Sequence, residues 1–137
     1  MEEIKLNKIE VFDNYKIEKY EYGNVTLSTE VKKSSLNYYG IAHGGYLFTL
    51  CDQVAGLVAI STGFEAVTLQ SSINYFKPGK MGERLFVVGK CIHNGKTTKV
   101  VDIEIRNRED KLLTKNSCTM YVTGTSDRGA EVRKENK

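Results

Sequence analysis

The chain has 137 residues, 40% of them hydrophobic and 27% charged, which suits one domain with its own core and excludes a disordered or low-complexity chain. Twenty Lys and Arg against 17 Asp and Glu leave a net charge of +3 with no basic segment, which argues against a nucleic-acid binder. The central apolar run, Val54 to Ile60, is far short of the roughly 20 residues of a membrane span. Met1-Glu2-Glu3-Ile4-Lys5 also lacks the basic start and apolar stretch of a signal peptide, so no membrane association and a cytoplasmic location are expected.

The first dozen residues read as a short helix anchored by Ile4, Ile9 and Phe12. Tyr15 to Glu21 alternates as a strand does, Gly23-Asn24 marks a turn, and Asn24 to Lys32 alternates with Val25, Leu27, Thr29 and Val31 on one face, so a hairpin opens the domain. Ser34 to Ala42 reads as a loop. Gly44 to Thr62 has helical spacing in Leu47, Leu50, Cys51, Val54, Leu57 and Val58, with Phe48, Ala55 and Ala59 making the other side apolar as well. A helix apolar on most sides is expected to be buried on most sides, and Gly63 supplies its stop.

Four further strands are predicted over Ala66–Phe76, Glu83–His93, Thr97–Asn107 and Lys111–Thr123. Turn chemistry separates them at Lys77-Pro78-Gly79-Lys80, Asn94-Gly95-Lys96 and Arg108-Glu109-Asp110. Val101, Ile103 and Ile105 alternate with Asp102, Glu104 and Arg106, giving one buried and one wet face. Strands and helices do not alternate, so a parallel doubly wound sheet is excluded in favour of an α+β domain: an antiparallel sheet of about six strands curled round one long central helix. The domain is expected over residues 1–125, with a polar tail at 126–137 that frays from Ser126.

Cys51, Cys91 and Cys118 are odd in number, widely spaced and set in apolar segments, and only His43 and His93 accompany them. Buried free thiols are expected, with no metal site.

Asp52 is the residue that does not fit its surroundings. Its helical neighbours are Phe48, Thr49, Ala55 and Gly56, and an unpaired buried carboxylate is costly. Either a core cation or backbone N–H groups satisfy it, or it is a catalytic carboxylate held in a cleft. Gln53 beside it reads as an ordinary polar contact. The same helix starts with His43-Gly44-Gly45. The first N–H groups of a helix have no intrahelical partner and sit at the positive end of the dipole. Glycines there either serve turn flexibility or let a carbonyl oxygen approach those N–H groups, an oxyanion-type site. His43 alone reads as a cap or loop-packing residue, and Asn37 as a turn residue.

The eight residues from Gly44 to Asp52 span about 12 Å of helix. Both groups must come within roughly 3 Å of one carbonyl to act on it together, so two chains must meet, most simply as antiparallel helices of a two-fold dimer. Gly56 suits close approach by another element, or small-residue core packing.

Asn37-Tyr38-Tyr39-Gly40-Ile41-Ala42-His43-Gly44-Gly45, with Asp52 nine residues after the His, resembles the hotdog-fold thioesterases, and within them the phenylacetyl-CoA-thioesterase-like subgroup. Val67-Thr68, Tyr75-Phe76-Lys77-Pro78-Gly79 and Asn94-Gly95-Lys96-Thr97 extend the resemblance over roughly residues 14–123. The resemblance implies a hotdog fold and hydrolysis of an acyl-CoA substrate without cofactor or metal. It also implies a homodimer with composite sites, commonly doubled to a homotetramer. It assigns the nucleophile or general base to Asp52 and the carbonyl-polarising N–H to Gly44. His43 and Asn37 then orient thioester and water, and Thr68 supports the carboxylate. Gly45, Lys77, Lys80 and Lys96 are the implied CoA contacts. The subgroup often has Gly-Arg where this chain has Gly95-Lys96, and a lysine binds phosphate as a point charge rather than a fork. Lys77 and Lys80 read equally well as solvated turn lysines.

Two other functions fit the same fold. A non-catalytic acyl-CoA sensor or carrier needs no carboxylate, and Asp52 beside His43-Gly44-Gly45 counts against it. A hydratase needs an Asp and a His about five residues apart, and position 57 is Leu57. Phe48, Phe64, Phe76 and Tyr75 suit an aryl or an acyl pocket equally.

Overall fold

A computed structural model of the chain describes residues 3, 6 and 8–127. In chain order its elements are β1 (Lys16–Glu21), β2 (Asn24–Glu30), a 3-10 turn at Lys33–Ser35, α1 (Gly44–Ser61), β3 (Phe64–Tyr75), β4 (Arg84–Asn94), β5 (Thr98–Arg106) and β6 (Leu112–Thr125). The strands form one six-stranded sheet in the order β1-β2-β4-β5-β6-β3, antiparallel throughout, and α1 lies in its concavity. This is the hotdog architecture.

The alternation read from the sequence sets the inner face. Val25, Leu27, Val31, Leu85, Val87, Val101, Ile103 and Ile105 are buried and meet Leu47, Leu50, Val54 and Val58 of α1. Gly89 of β4 lies where the helix crosses closest: a Cβ there would stand 2.6 Å from Val54 Cγ1 and 3.0 Å from Val58 Cγ2. By length and mean hydropathy of 1.2, α1 would also suffice as a membrane span. Its inner face is covered by the sheet. Gly63, at φ 99°, takes the chain out of the helix, and its N–H bonds to the Ile60 carbonyl at 2.9 Å.

Four expectations change. Over the described part of the expected N-terminal helix, residues 8–12, no helix is formed: the chain is irregular with bends at 11–14, and Ile4 lies outside the described residues. Backbone groups that a helix would use internally bond outward, since the Glu10 N–H reaches the Ser34 carbonyl. The Asn14 side chain meanwhile accepts from the Glu30 N–H at 2.7 Å. Ile9 packs against the core, whereas Phe12 stays exposed and stacks edge-on to Tyr15. Second, α1 is covered on one face only, and in the single chain Gly45, Asp52 and Gln53 are exposed. Third, among the described residues nothing lies within 4 Å of a Cβ at Gly56, and a close approach inside the chain is found at Gly89. Fourth, Ser126 is buried and its N–H bonds to the Gly63 carbonyl at 2.9 Å, which holds the chain one residue past β6; residues 128–137 lie outside the described ones. All three cysteines are free, with Cys51 and Cys118 buried and Cys91 half-buried.

Candidate active site

The helix start is built by its loop. Asn37 Oδ1 accepts from the N–H groups of Tyr39 at 2.9 Å and Ile41 at 3.3 Å, and its own N–H bonds to the Ile41 carbonyl at 2.8 Å. Gly40, at φ 73°, makes the tight reversal between them. The Ala42 and His43 N–H groups then bond to the Gly79 and Ser35 carbonyls, fixing the angle at which the chain enters α1.

His43 is the N-cap: its Nδ1 accepts from the Gly45 N–H at 2.9 Å, and its carbonyl takes the Leu47 N–H. An accepting Nδ1 puts the proton of the neutral ring on Nε2, which is thereby left as a donor. The Gly45 N–H is spent on this cap, so Gly45 contributes no free donor to a substrate. The Gly44 N–H has no protein partner among the described residues. On its other side, the Tyr75 hydroxyl donates to the Gly44 carbonyl at 2.9 Å. Asn37, Gly44, Leu47, Tyr75, Phe76 and Lys77 border a concavity of about 330 Å³.

Asp52 stands two turns along, on the open face of α1. Thr68 Oγ1 donates to Asp52 Oδ1 at 2.6 Å and lies 3.6 Å from Met120 Sδ. A hydroxyl has one proton, and the short contact to a charged acceptor claims it, so the Met120 sulfur is a packing neighbour. An irregularity in the β3–β6 pairing between Thr68 and Gln70 falls beside this contact, as bulges near sites commonly re-aim a side chain. Asp52, Gln53, Gly56, Thr68 and Met120 border a second concavity of about 450 Å³.

Beneath Asp52, burial pushes the Cys51 thiol up to about 12, and the neighbouring Cys118 and Asp52, which would repel a thiolate there when ionised, add to the effect. Burial likewise raises Cys118. Both thiols stay neutral at ordinary pH, so the accessible base or nucleophile here is the carboxylate.

The predicted residues therefore fall into two groups. Asn37, Gly44 and Lys77 border one concavity and Asp52 with Thr68 another, so one chain does not bring the carboxylate to the Gly44 N–H. The expected desolvation of Asp52 by its own chain is not found, because it projects from the uncovered face. Lys77 and Lys80 are exposed on the β3–β4 connection, and Lys96 is exposed in the β4–β5 turn. A further concavity, about 610 Å³, lies between the N-terminal segment and Tyr38, Tyr39 and His43, away from Asp52. The sequence reading missed the Tyr75 hydroxyl on Gly44, which no local pattern announces. It also missed Lys99, which strand parity places on the inner face with Val101 and Ile103.

The family model of the thioesterase superfamily matches residues 39–114, more than half of the chain. The chain belongs to this superfamily. It is 35% identical over 91 residues to the acyl-coenzyme A thioesterase PaaI of Escherichia coli, covering 66% of this chain and 65% of that protein's length. Among solved structures it resembles a hypothetical thioesterase from Streptococcus pneumoniae TIGR4 with coenzyme A. That match has 53% identity and a TM-score of 0.89, over 90% of this chain and 100% of the other. It also resembles smu.793 from Streptococcus mutans UA159 bound to acetyl CoA. There the identity is 56% and the TM-score 0.83, over 89% and 98% of the two chains.

Proposed function

We propose that the protein is an acyl-CoA thioesterase that hydrolyses an acyl- or aryl-CoA to the free acid and CoA. It does so in the cytoplasm, as a homodimer with composite sites doubled to a homotetramer. The observation that carries this reading is the exposed Asp52, held by the Thr68 hydroxyl at 2.6 Å on the uncovered face of α1. A carboxylate so held, with neutral thiols behind it, is suited to act on a bound ester. The Escherichia coli relative's name and the coenzyme A in the Streptococcus pneumoniae structure support the substrate class.

In this mechanism the thioester carbonyl oxygen lies against the Gly44 N–H of one subunit, where the helix dipole favours developing negative charge. Asp52 of the other subunit takes a proton from water, and the oxygen of that water bonds to the carbonyl carbon. Collapse of the tetrahedral intermediate breaks the C–S bond, and the CoA sulfur leaves with a proton. Direct attack by Asp52 and hydrolysis of the resulting anhydride gives the same products. Asn37 shapes the loop that presents Gly44, and His43 offers Nε2–H. Lys77, Lys80 and Lys96 are the cations for the CoA phosphates. The mechanism uses no metal or cofactor.

Thiol release from short, long and aryl acyl-CoA esters tests the reading. Turnover on at least one class is expected. Tight binding without turnover on any would favour an acyl-CoA sensor or carrier.

A further inference from the structure

One lysine of the sheet points inward. Lys99 shares strand parity with Val101, Ile103 and Ile105 and is 1% exposed. Burying an ammonium is costly unless its donors are satisfied. Lys99 Nζ donates to Asn94 Oδ1 and, at 3.2 Å, to the Gly95 carbonyl, and it stands 4.4 Å from the centroid of the Phe64 ring. Two donors thus meet oxygen and the remaining face meets a π-system. Burial lowers the lysine's pKa, and the titratable group acting on it is the Cys91 thiol, itself raised by burial and therefore neutral.

Both oxygen acceptors belong to the β4–β5 turn. Asn94 Nδ2 in turn donates to the Tyr22 hydroxyl of the β1–β2 turn at 3.0 Å. The Gly95 N–H bonds to the Thr98 carbonyl at 3.1 Å. A Cβ at Gly95 would stand 2.7 Å from both His93 Nε2 and the Thr98 carbonyl, so the backbone there is packed tightly. The exposed Lys96 is the next residue. A methionine at position 99 would fill the core without the desolvation cost, but it could not fasten the turn.

We propose that Lys99 is a positioning residue: its buried ammonium fixes the Asn94-Gly95 turn so that Lys96 is held ready for the phosphates of CoA. This rests on the reading above, that the substrate is a CoA ester contacted by Lys96.

The test compares Lys99→Met, Asn94→Ala and Lys96→Ala with the unaltered protein on an acyl-CoA and on the acyl-pantetheine of the same acyl group, which lacks the nucleotide phosphates. All three variants are expected to raise KM for the acyl-CoA about tenfold, keep kcat within about twofold and leave kcat/KM for the acyl-pantetheine unchanged. Asn94 is exposed, so its variant keeps the test usable if Lys99→Met does not fold. Equal losses on both substrates in step with a lower thermal midpoint would make Lys99 a core residue only and overturn the proposal. If Lys96→Ala raises KM while neither Lys99→Met nor Asn94→Ala does, the positioning role fails and the CoA-ester reading stands. If the unaltered protein turns over neither substrate, that reading fails and the proposal with it.

Discussion

The two long faces of α1 both carry apolar residues, more on the side toward the sheet, and meet different surroundings. Leu47, Leu50, Val54 and Val58 face the sheet and are buried by it. Gly45, Asp52 and Gln53 face outward and are exposed, with Gly56 and Leu57 half-covered beside them. On the covered face each residue answers to a neighbour in the same chain, down to Gly89, which clears space for Val54 and Val58. Among the described residues, Gly56 on the open face has nothing to avoid and Asp52 bonds only to Thr68. The difference teaches that helical spacing alone cannot assign a burying partner: the outer face reads as core because, in the proposed dimer, a second copy covers it.

That contrast can be broken most sharply at Asp52. Asp52→Asn keeps an oxygen to accept from Thr68 but provides neither base nor nucleophile, so turnover should fall by about 10²- to 10⁴-fold while acyl-CoA affinity and thermal midpoint hold. A stable variant with full turnover would remove Asp52 from the chemistry. Gly44→Ala at the other end of the face should cost about 10²- to 10³-fold in kcat, the usual loss for an oxyanion donor. The chain should fold, because the new Cβ meets the Tyr75 ring at an ordinary 3.5 Å.

The faces also predict opposite responses to an added methyl. Gly89→Ala forces a Cβ into Val54 and Val58 and should destabilise the protein by about 1–3 kcal/mol in denaturant unfolding. Gly56→Ala enters open space in the single chain, so its effect on chain stability should stay within about 1 kcal/mol, the helix-propensity difference. A loss at Gly56 as large as at Gly89 would mean that the open face is packed as tightly as the covered one.

A smaller effect concerns Cys51. Its pKa is raised by burial from 9.0 in the unfolded chain to about 12 in the folded one. The stability gained from keeping the thiol neutral is therefore complete below about pH 9 and lost as the pH rises through about 12. The alkaline fall in thermal midpoint should be shallower in Cys51→Ala than in the unaltered protein.

Most of the fold was legible because it rests on local rules. Period-two alternation set the buried face of β2 and β5, Gly63 ended the helix, and Asn94-Gly95 and Arg108-Glu109-Asp110 turned the hairpins. Over its described residues 8–12 the N-terminal segment departs from a helix because Glu10, and Asn14 just beyond, have tertiary partners at Ser34 and Glu30 that no periodicity encodes. Of the candidate site, the Asp52–Thr68 pair and the His43 cap follow from the chain's motif and are formed. The Tyr75 hydroxyl on Gly44 depends on where β3 ends against the helix start, a tertiary fact. The separation of Gly44 from Asp52 was legible from helix rise alone.

The central claim is that a site takes Gly44 from one subunit and Asp52 from another, and mixing the two inactive variants tests it directly. In a two-fold dimer, a mixed pair of Asp52→Asn and Gly44→Ala subunits has one site with both groups intact and one with neither. After complete exchange of equal amounts, half the dimers are mixed, so about a quarter of the unaltered specific activity should return. Activity no higher than the sum of the two variants, with exchange verified by native mass, would contradict the composite site.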